Sequence, residues 1–435
     1  MITTELSAEE WRSELERELK DNILDFWMQH AKDESNGGFV GEIKSDMTRV
    51  PDADKGLVLN ARIMWSFASA YRLYGDPAYL EMAERAFDAL DSVFRDREFG
   101  GLYWMTDAAG RPSQNKKQVY GQAFVIYALA EYVRADGPRC AKALKWAIGI
   151  YRLLEKHAYD PIHLGYVEAL ARDWSETDDL SLSGKDLNER KSMNTHLHVL
   201  EAYTNLYRVW QPKGLRAKLA ELIDVHLEHI VNADNHHFQL FFDDTWHSQS
   251  GHVSYGHDIE GSWLLCEAAE VLGDRVRLDI VRKEALAMAE ATLSEGVDAD
   301  GGVLNESDGQ GRLDDTKDWW PQAEAMVGFL NAYQLSGDEH YWQAARKSWA
   351  FTKRFIIDHE HGEWHWQVSR EGVPHPAYAR QRNHERFYEP AEATGGRSQA
   401  AVEPPQSPRG GRKRAIRPAR ASGIDERACS ASLAL

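Results

Sequence analysis

The sequence of 435 residues has few cysteines, no long apolar run and no excess of basic residues. The three cysteines, Cys140, Cys266 and Cys429, are too few and too scattered for a disulfide framework or a zinc site, which fits a reducing compartment. No stretch of about 18 apolar residues occurs, so we expect no membrane-spanning helix. The formal net charge of -18 argues against a general nucleic-acid-binding protein, which would carry a basic face.

The sequence also lacks the motifs of several enzyme classes. It has no Gly-rich phosphate-binding loop, no Gly-Xaa-Ser-Xaa-Gly turn that would present a nucleophilic serine, and no His-Glu-Xaa-Xaa-His metal spacing. Its first residues are acidic and helical in pattern, without the basic and apolar regions of a signal peptide. We therefore expect a cytoplasmic protein that binds no metal ion, no nucleic acid and no membrane.

Aromatic residues, in contrast, are abundant. The chain has 15 tryptophans and 17 tyrosines, and 43% of its residues are hydrophobic, which is ample for a large core. Clustered aromatic side chains can form surfaces that stack on sugar rings, although most of them should belong to an ordinary core.

A helical hairpin pattern recurs along the chain roughly every 60 to 75 residues, separated by loops rich in glycine and aromatic residues. The pattern predicts a lone first helix and five hairpins: 7–32; 57–74 with 77–94; 119–135 with 138–156; 194–210 with 213–231; 258–272 with 275–294; 320–335 with 339–357. The first helix of each hairpin is apolar on nearly every side, as an inner helix must be. We therefore predict an all-α fold rather than an open helical solenoid: a closed (α/α)6 barrel, in which a twelfth helix would pair with the first to complete six hairpins.

Polar and aromatic side chains recur where the inner helices begin. The loops that lead into these helices are long, and functional sites are usually built on long loops. The residues at the five helix starts are Arg62; Tyr120; Asn194 and His198; His257 and Glu260; Trp320 and Glu324. Any one of them could be structural, but five equivalent positions together predict a site.

The stretch 254–260 places His257 and Glu260 three residues apart, so they share a helix face. An imidazole beside a carboxylate is suited to proton transfer near neutral pH. The alternative is a helix start capped by Asp258, with a histidine satisfied in the core.

Two pairs of nearby histidines, His196 with His198 and His236 with His237, are further candidates for the site. His198 is the inward candidate rather than His196, because Asn194 and His198 lie four residues apart and share a face. His236 and His237 are typical of a loop. The candidate site residues are histidine, glutamate, arginine, asparagine and tryptophan, and the sequence shows neither a metal-binding motif nor a nucleophile motif. This combination suits acid–base chemistry on a polyhydroxyl substrate.

Six short motifs carry a resemblance to a known family. They are Lys55-Gly56 with Ala61-Arg62-Ile63, 120–124, Met193-Asn194 with His198 and 201–203, 254–260, Asn305-Glu306, and Trp319-Trp320 with 322–325. On these motifs the chain resembles the cellobiose 2-epimerase branch of the N-acylglucosamine 2-epimerase superfamily, from about residue 10 to about residue 376. The resemblance implies an (α/α)6 barrel.

The resemblance also implies a reaction that needs no cofactor. The C2 centre of the reducing-end sugar of a β-1,4-linked disaccharide is inverted, so that cellobiose becomes glucosyl-mannose. A base removes the C2 proton of the opened aldose to give an enediolate, and an acid on the opposite face returns a proton. We expect a small-molecule disaccharide as the substrate and a monomeric protein.

The resemblance further implies a role for each site residue. His257 would be one of the two proton-transfer groups, His198 would assist ring opening or hold the enediolate, Arg62 would stabilise its charge, and Glu260 would tune His257. The residues implied to bind hydroxyls or stack on the sugars are Tyr120, Asp186, Asn194, Glu306, Trp320 and Glu324.

Other functions stay open. A monosaccharide or N-acylglucosamine 2-epimerase, or an aldose–ketose isomerase of the same superfamily, would use a similar site. A hydrolase on the same barrel is less favoured, because the facing groups are histidines rather than a carboxylate pair. A carbohydrate-binding protein without turnover is the alternative from a different class.

The C-terminal part departs from the family. The second catalytic histidine of the family lies in a Trp-Lys-Cys-Pro-Tyr-His stretch that opens the twelfth helix, and this chain has no such stretch. After Tyr378 the sequence is basic and rich in Arg, Pro, Gly, Ser and Ala, which predicts a barrel domain of residues 1–378 and a disordered tail of residues 379–435.

This tail has two interpretations, a frameshifted 3′ end or a genuine basic tail for an acidic partner. In either case the twelfth helix is missing or replaced. We then expect the apolar faces of the first and eleventh helices to be open to water. His375 and His384 are the only nearby substitutes for the second base.

Overall fold

The computed structural model describes residues 7–182, 187–310 and 313–375. Eleven helices occur in these residues, and four of them contain a wider π-helical segment. They are α1 (Ala8–Arg17, Glu18–Leu24 and Asp25–His30), α2 (Leu57–Tyr74), α3 (Pro77–Ala89 and Leu90–Phe94), α4 (Val119–Arg134), α5 (Cys140–His157), α6 (Met193–Val209), α7 (Lys213–Val225 and His226–Ile230), α8 (Tyr255–Leu272), α9 (Arg275–Glu295), α10 (Trp319–Ser336) and α11 (Glu339–Phe351 and Thr352–Ile356). The predicted all-α class is confirmed.

The even-numbered helices form the inner wall of the barrel. Helix α2 packs against α4, α4 against α6, α6 against α8, and α8 against α10. These helices are buried on nearly all sides, because each faces both its inner neighbours and its outer partner. None of the described helices is long and apolar enough to cross a bilayer.

The outer helices α1 and α11 contact each other directly. The Trp11 and Trp342 rings lie 5.2 Å apart, and Nε1 of Trp349 donates a hydrogen bond of 2.9 Å to Glu14. Trp11 and Trp349 are buried. The expectation that the apolar faces of these two helices are open to water is therefore wrong, since each helix covers the other. The predicted tail, residues 379–435, lies outside the described residues.

Short strands connect the start of each inner helix to the loop that leads towards the next one. They are β1 (Lys55–Gly56), β2 (Met105–Thr106), β3 (Pro112–Gln114), β4 (Lys117–Gln118), β5 (Ala169–Leu170), β6 (Lys191–Ser192), β7 (Phe241–Phe242), β8 (Val253–Ser254), β9 (Glu306–Ser307), β10 (Leu313–Asp314), β11 (Lys317–Asp318) and β12 (Gln367–Val368). The antiparallel pairs β1–β2, β4–β5, β6–β7, β8–β9 and β11–β12 follow the ring from repeat to repeat. These pairs place the starts of all five inner helices at one end of the barrel.

Ion pairs made by a buried lysine hold four of these helix starts. In each case a lysine two residues before the helix contacts an aspartate that follows the preceding outer helix. The pairs are Lys55 with Asp33 at 2.7 Å, Lys117 with Asp96 at 2.9 Å, Lys191 with Asp160 at 2.9 Å, and Lys317 with Asp300 at 2.8 Å and Asp298 at 3.3 Å. The lysine ammonium thus connects the start of the inner helix to the loop that follows the preceding outer helix.

The aspartate in such a pair also organises its loop. Asp33 accepts hydrogen bonds of 2.9 Å from the backbone N–H groups of Ser35 and Asn36. Burial alone would raise the pKa of Asp33, but the hydrogen bonds from Lys55 and Asn36 outweigh burial and lower this pKa to about 2. The carboxylate is therefore ionised at neutral pH and depends on Lys55 for its countercharge.

We expect Lys55→Met to lower the free energy of unfolding by about 3–5 kcal/mol, because it leaves the buried carboxylate of Asp33 unpaired. Chemical denaturation of both proteins measures this difference. Arg111→Met is the matched control, since Arg111 pairs with Asp107 at the surface, where 82% of the arginine side chain is exposed. This control should cost less than about 1 kcal/mol, and equal costs for the two variants would contradict the importance of the buried pair.

Candidate active site

The candidate site lies at the end of the barrel where the inner helices begin, and His198 on α6 occupies its centre. Nδ1 of His198 lies 3.0 Å from Oε2 of Glu201, one turn further along the same helix. Nε2 of His198 lies 3.9 Å from Oε1 of Glu260 on α8. The imidazole therefore bridges two carboxyl groups from neighbouring inner helices.

An aromatic wall on α4 contacts the same imidazole. The ring centroids of Tyr120 and Phe124 lie 4.9 Å and 4.7 Å from that of His198. Arg62 on α2 places its guanidinium 4.8 Å from the Phe124 ring and hydrogen-bonds to the Tyr120 phenol. Burial raises the pKa of Tyr120 to about 12, so the phenol keeps its proton and can donate a hydrogen bond to a ligand.

His257 lies in the first turn of α8, beside an indole from α10. Nδ1 of His257 is 2.8 Å from the hydroxyl oxygen of Ser254, and its ring lies 4.7 Å from that of Trp320. The preceding residue must be glycine, because a Cβ atom on Gly256 would lie 2.5 Å from the Trp320 ring. The Tyr-Gly-His sequence thus allows the indole to reach the histidine.

Three buried carboxyl groups face the interior of the barrel: Glu201, Glu260 and Glu324. Burial raises the pKa of Glu201 to about 7 and that of Glu324 to about 8. Burial, followed by the charges of Glu324 and Glu201, also raises the pKa of Glu260 well above its usual value. The cluster therefore holds protons near neutral pH.

The imidazoles respond to burial in the opposite direction. Burial, with a smaller contribution from His198, lowers the pKa of His257 to about 3. Burial and the nearby charge of Arg62 lower the pKa of His198 well below its usual value. Both rings are neutral at pH 7, so each has one nitrogen that can accept a proton.

Two buried polar atoms in this region have no hydrogen-bond partner among the described residues, namely Nε of Arg62 and Oδ1 of Asn194. A buried polar atom without a partner is costly, so a donor and an acceptor here are suited to a polar ligand. Across the three described ranges, no group of three or more His, Cys, Asp or Glu side chains is arranged to hold a metal ion.

The structure brings most of the predicted site residues together. Arg62, Tyr120, His198, Glu260 and Glu324 are linked by the contacts and charges given above, and His257 contacts Trp320. Asn194 lies in the first turn of α6. Glu306 lies in β9, opposite Ser254 of β8, and is half-buried.

Four other residues considered in the sequence analysis are Asp186, His196, His375 and His384. Asp186 and His384 lie outside the described residues. His375 is exposed, and its backbone N–H donates a hydrogen bond to the carbonyl oxygen of Gln367. His196 points away from the cluster, since its Nε2 accepts a hydrogen bond of 2.8 Å from the backbone N–H of Tyr166.

The alternative in which Asp258 caps α8 is wrong. The helix begins at Tyr255, three residues before the predicted start, and Ser254 is its N-cap residue. Asp258 therefore lies inside the first turn, where it accepts hydrogen bonds from the loop before it. The β8–β9 pair sets this earlier start, and local sequence does not reveal that pairing.

Glu201 and Trp263 make contacts in the site, and the sequence analysis predicts no role for either of them. Glu201 contacts His198, and Nε1 of Trp263 donates a hydrogen bond of 2.8 Å to Glu324. The available signal was spacing, because each residue follows a predicted site residue, His198 or Glu260, by three positions and so shares its helix face.

The chain is similar in sequence and in structure to several known proteins. The model of the family described as N-acylglucosamine 2-epimerase (GlcNAc 2-epimerase) matches residues 37–393. A protein named cellobiose 2-epimerase from Bacteroides fragilis is 46% identical over 362 residues, which span 83% of this chain and 92% of that protein. The solved structure of cellobiose 2-epimerase from Bacillus thermoamylovorans aligns with a TM-score of 0.80 and 39% identity, covering 85% of this chain and 94% of the other. A protein named D-mannose isomerase from Marinomonas mediterranea is 24% identical over 356 residues, 76% of this chain and 83% of that protein.

The buried carboxyl groups predict a specific pH dependence of stability. The folded state binds the proton of Glu324 more tightly than the unfolded state, because its pKa rises from 4.5 to about 8. Its contribution to stability is thus fully present below pH 4.5 and is lost as the pH rises through about 8. We therefore expect the melting temperature of Glu324→Gln, relative to the unmodified protein, to increase between about pH 5 and pH 9.

Glutamine can still accept the hydrogen bond from Trp263, so the variant should fold. The same substitution at the exposed Glu81 is the control and should leave the pH profile unchanged. Parallel profiles for Glu324→Gln and the unmodified protein would contradict the raised pKa.

Proposed function

The chain belongs to the N-acylglucosamine 2-epimerase family, and we propose that it inverts C2 of the reducing-end glucose of β-1,4-linked disaccharides, converting cellobiose to glucosyl-mannose. The resemblance seen in the sequence motifs is confirmed by the family match and by the relatives named cellobiose 2-epimerase. One observation carries the proposal. The His198 imidazole lies between the buried carboxyl groups of Glu201 and Glu260, and the same site contains His257 and Glu324.

Ring opening of the sugar is assigned to His198. With its Nδ1 proton directed at Glu201, the lone pair of Nε2 can accept the proton of the C1 hydroxyl. Glu260, whose carboxyl oxygen lies 3.9 Å from that nitrogen, can exchange a proton with it. The Tyr120 and Phe124 rings exclude water from this side of the imidazole, which keeps it neutral.

Removal of the C2 proton is assigned to His257. Its Nδ1 proton is directed at the Ser254 hydroxyl, which leaves Nε2 to accept the proton from carbon. The resulting enediolate is negatively charged, and Arg62 offers a buried N–H that has no partner among the described residues. Trp320 lies beside His257, with the two rings tilted by 54°, and provides an apolar face for the sugar ring.

Substrate binding is assigned to the remaining predicted residues. Asn194 presents a buried carbonyl oxygen without a partner in the described part of the chain, which suits a sugar hydroxyl. Glu306 and Glu324 approach the site from β9 and α10, and Tyr120 can donate its phenolic proton. Asp186 keeps the substrate-binding role implied by the resemblance.

The proton that completes the inversion must come from the opposite face of the enediolate. The family stretch that carries the second histidine is absent from this sequence. His375 and His384 remain the candidate replacements. Incubation in D2O separates the two half-reactions, because deuterium enters at C2 whenever the first proton is removed and replaced.

We expect cellobiose incubated with the protein in D2O to acquire deuterium at C2, and His257→Asn to slow this exchange by at least about 100-fold, since it removes the base. NMR of the sugar measures the exchange. His252→Asn is the matched control, because His252 is exposed and lies five residues earlier in the same stretch. Equal exchange in His257→Asn and the unmodified protein would contradict the assignment.

The product identifies the second step. Deuterated glucosyl-mannose would mean that a second proton donor acts in this chain. Deuterium in unepimerised cellobiose alone would mean that a proton is returned to only one face of the enediolate. Absence of exchange in folded protein would overturn the proposal in favour of carbohydrate binding without turnover. Turnover of mannose or N-acetylmannosamine, but not cellobiose, would favour the monosaccharide alternative, which the similarity to a D-mannose isomerase supports.

We expect Glu201→Gln to lower kcat roughly 10- to 100-fold, because glutamine cannot carry the charge that strengthens His198 as a base. With a pKa of about 7, Glu201 should give a rise in kcat as the pH increases through 7, and the variant should lose this rise. Glu155→Gln is the control, since this half-buried glutamate accepts hydrogen bonds from Tyr166 and Tyr203 away from the site. A pH profile of kcat that is unchanged in Glu201→Gln would remove Glu201 from the mechanism.

A further inference from the structure

Four of the five inner helices begin at an ion pair between a buried lysine and an aspartate, and α8 does not. The position two residues before α8 is Val253, where the other repeats have Lys55, Lys117, Lys191 and Lys317. The aspartate position that follows the preceding outer helix is Asn232, whose side-chain oxygen accepts a hydrogen bond of 3.0 Å from the backbone N–H of Asp234. At α8, therefore, uncharged residues stand at both positions of the ion pair.

A different pair of charged residues holds the start of α8. Nδ1 of His237 lies 2.7 Å from Oδ2 of Asp258, and the other carboxylate oxygen accepts a hydrogen bond of 2.7 Å from the backbone N–H of Phe238. Both side chains are buried, with 3% of His237 and none of Asp258 exposed. His237 therefore joins the preceding loop to the first turn of α8.

The fourth residue of each inner helix explains what is unusual about Asp258. In three other helices a neutral side chain at this position accepts a backbone N–H of the preceding loop: Gln122 from Leu102, His196 from Tyr166 and Gln322 from Val303. Asp258 keeps this hydrogen bond with Phe238 but adds a negative charge. In α8 the countercharge must come from the loop, and His237 is placed to supply it.

The groups around His237 favour its charged form. Asp258 faces Nδ1, Glu295 at the end of α9 lies 3.3 Å from Nε2, and the Tyr255 ring lies 5.9 Å away. Burial alone would lower the pKa of His237, but the hydrogen bond and charge of Asp258, together with Glu295, outweigh burial and raise this pKa above 6.5. Burial raises the pKa of Asp258, and His237 and the Phe238 N–H oppose that rise.

We propose that His237 is a positioning residue, whose imidazolium holds Asp258 and thereby the first turn of α8, the turn that presents His257 and Glu260 to the substrate. His257 directly precedes Asp258 in the chain, so a shift of Asp258 moves the base that is assigned to C2. The proposal rests on the proposed function for its effect on turnover, but its effect on the helix start is independent of the reaction.

The test compares three variants. His237→Gln leaves the buried carboxylate of Asp258 without a countercharge. The double variant His237→Gln with Asp258→Asn removes both charges and keeps an acceptor for the Phe238 N–H. His236→Asn is the matched control, because the neighbouring His236 pairs with Glu284 on α9 at 2.7 Å and is partly exposed.

Two quantities are measured in each protein between pH 6 and pH 9. One is the amide-exchange protection of residues 253–262 relative to the rest of the barrel, and the other is kcat for C2 deuterium exchange. In His237→Gln we expect protection to fall in 253–262 alone, and kcat to fall roughly 10- to 100-fold, as for a misplaced catalytic group. His236→Asn should match the unmodified protein.

The pH dependence has a definite sign. Because the pKa of His237 is raised in the folded state, the stabilisation by its imidazolium is fully present below pH 6.5 and is lost as the pH rises through the raised pKa. The unmodified protein should therefore lose protection in 253–262 above that pH, and the double variant should show no such step.

Three results would overturn the proposal. These are unchanged protection in His237→Gln, a uniform loss of protection over the whole barrel, and an equal loss in His236→Asn. If protection changes as expected but the unmodified protein shows no deuterium exchange into cellobiose, the positioning of α8 stands and the proposed function fails.

Discussion

The ion pair between a buried lysine before an inner helix and an aspartate after the preceding outer helix is the interaction on which this structure depends. It is found in four repeats, where it connects the helix start to a loop. The same aspartate also organises the conformation of that loop. The helix starts bear the candidate site, so their placement decides whether side chains from different repeats meet. A surface ion pair could not serve, since water would screen it.

Burial then determines the chemistry that these side chains can perform. The same exclusion of water raises the pKa of Glu201 and Glu324 into the neutral range and lowers that of His257 to about 3. Carboxyl groups, which are usually ionised near pH 7, become proton donors, and imidazoles, which usually titrate near pH 6.5, stay neutral as proton acceptors. A site with donors and acceptors of this kind suits proton transfer.

Much of the fold could be predicted from the sequence, and the candidate site only in part. The predicted hairpins agree with the helices to within about three residues, because their apolar periodicity and glycine turns are local signals. The start of α8 was the least accurate, since pairing of β8 with β9 decides it. His237 was interpreted as a loop residue, and only the contact with Asp258, 21 positions away, reveals its burial.

By itself, the sequence determined the repeat, the eleven helices of the described residues, the family and the residue types at the helix starts. Those features follow from spacing along one chain. The tertiary structure alone decided that His198 lies between Glu201 and Glu260, that the outer helices α1 and α11 cover each other, and which groups hold protons. These depend on distances between helices and on exclusion of water, and neither quantity is encoded in local sequence spacing.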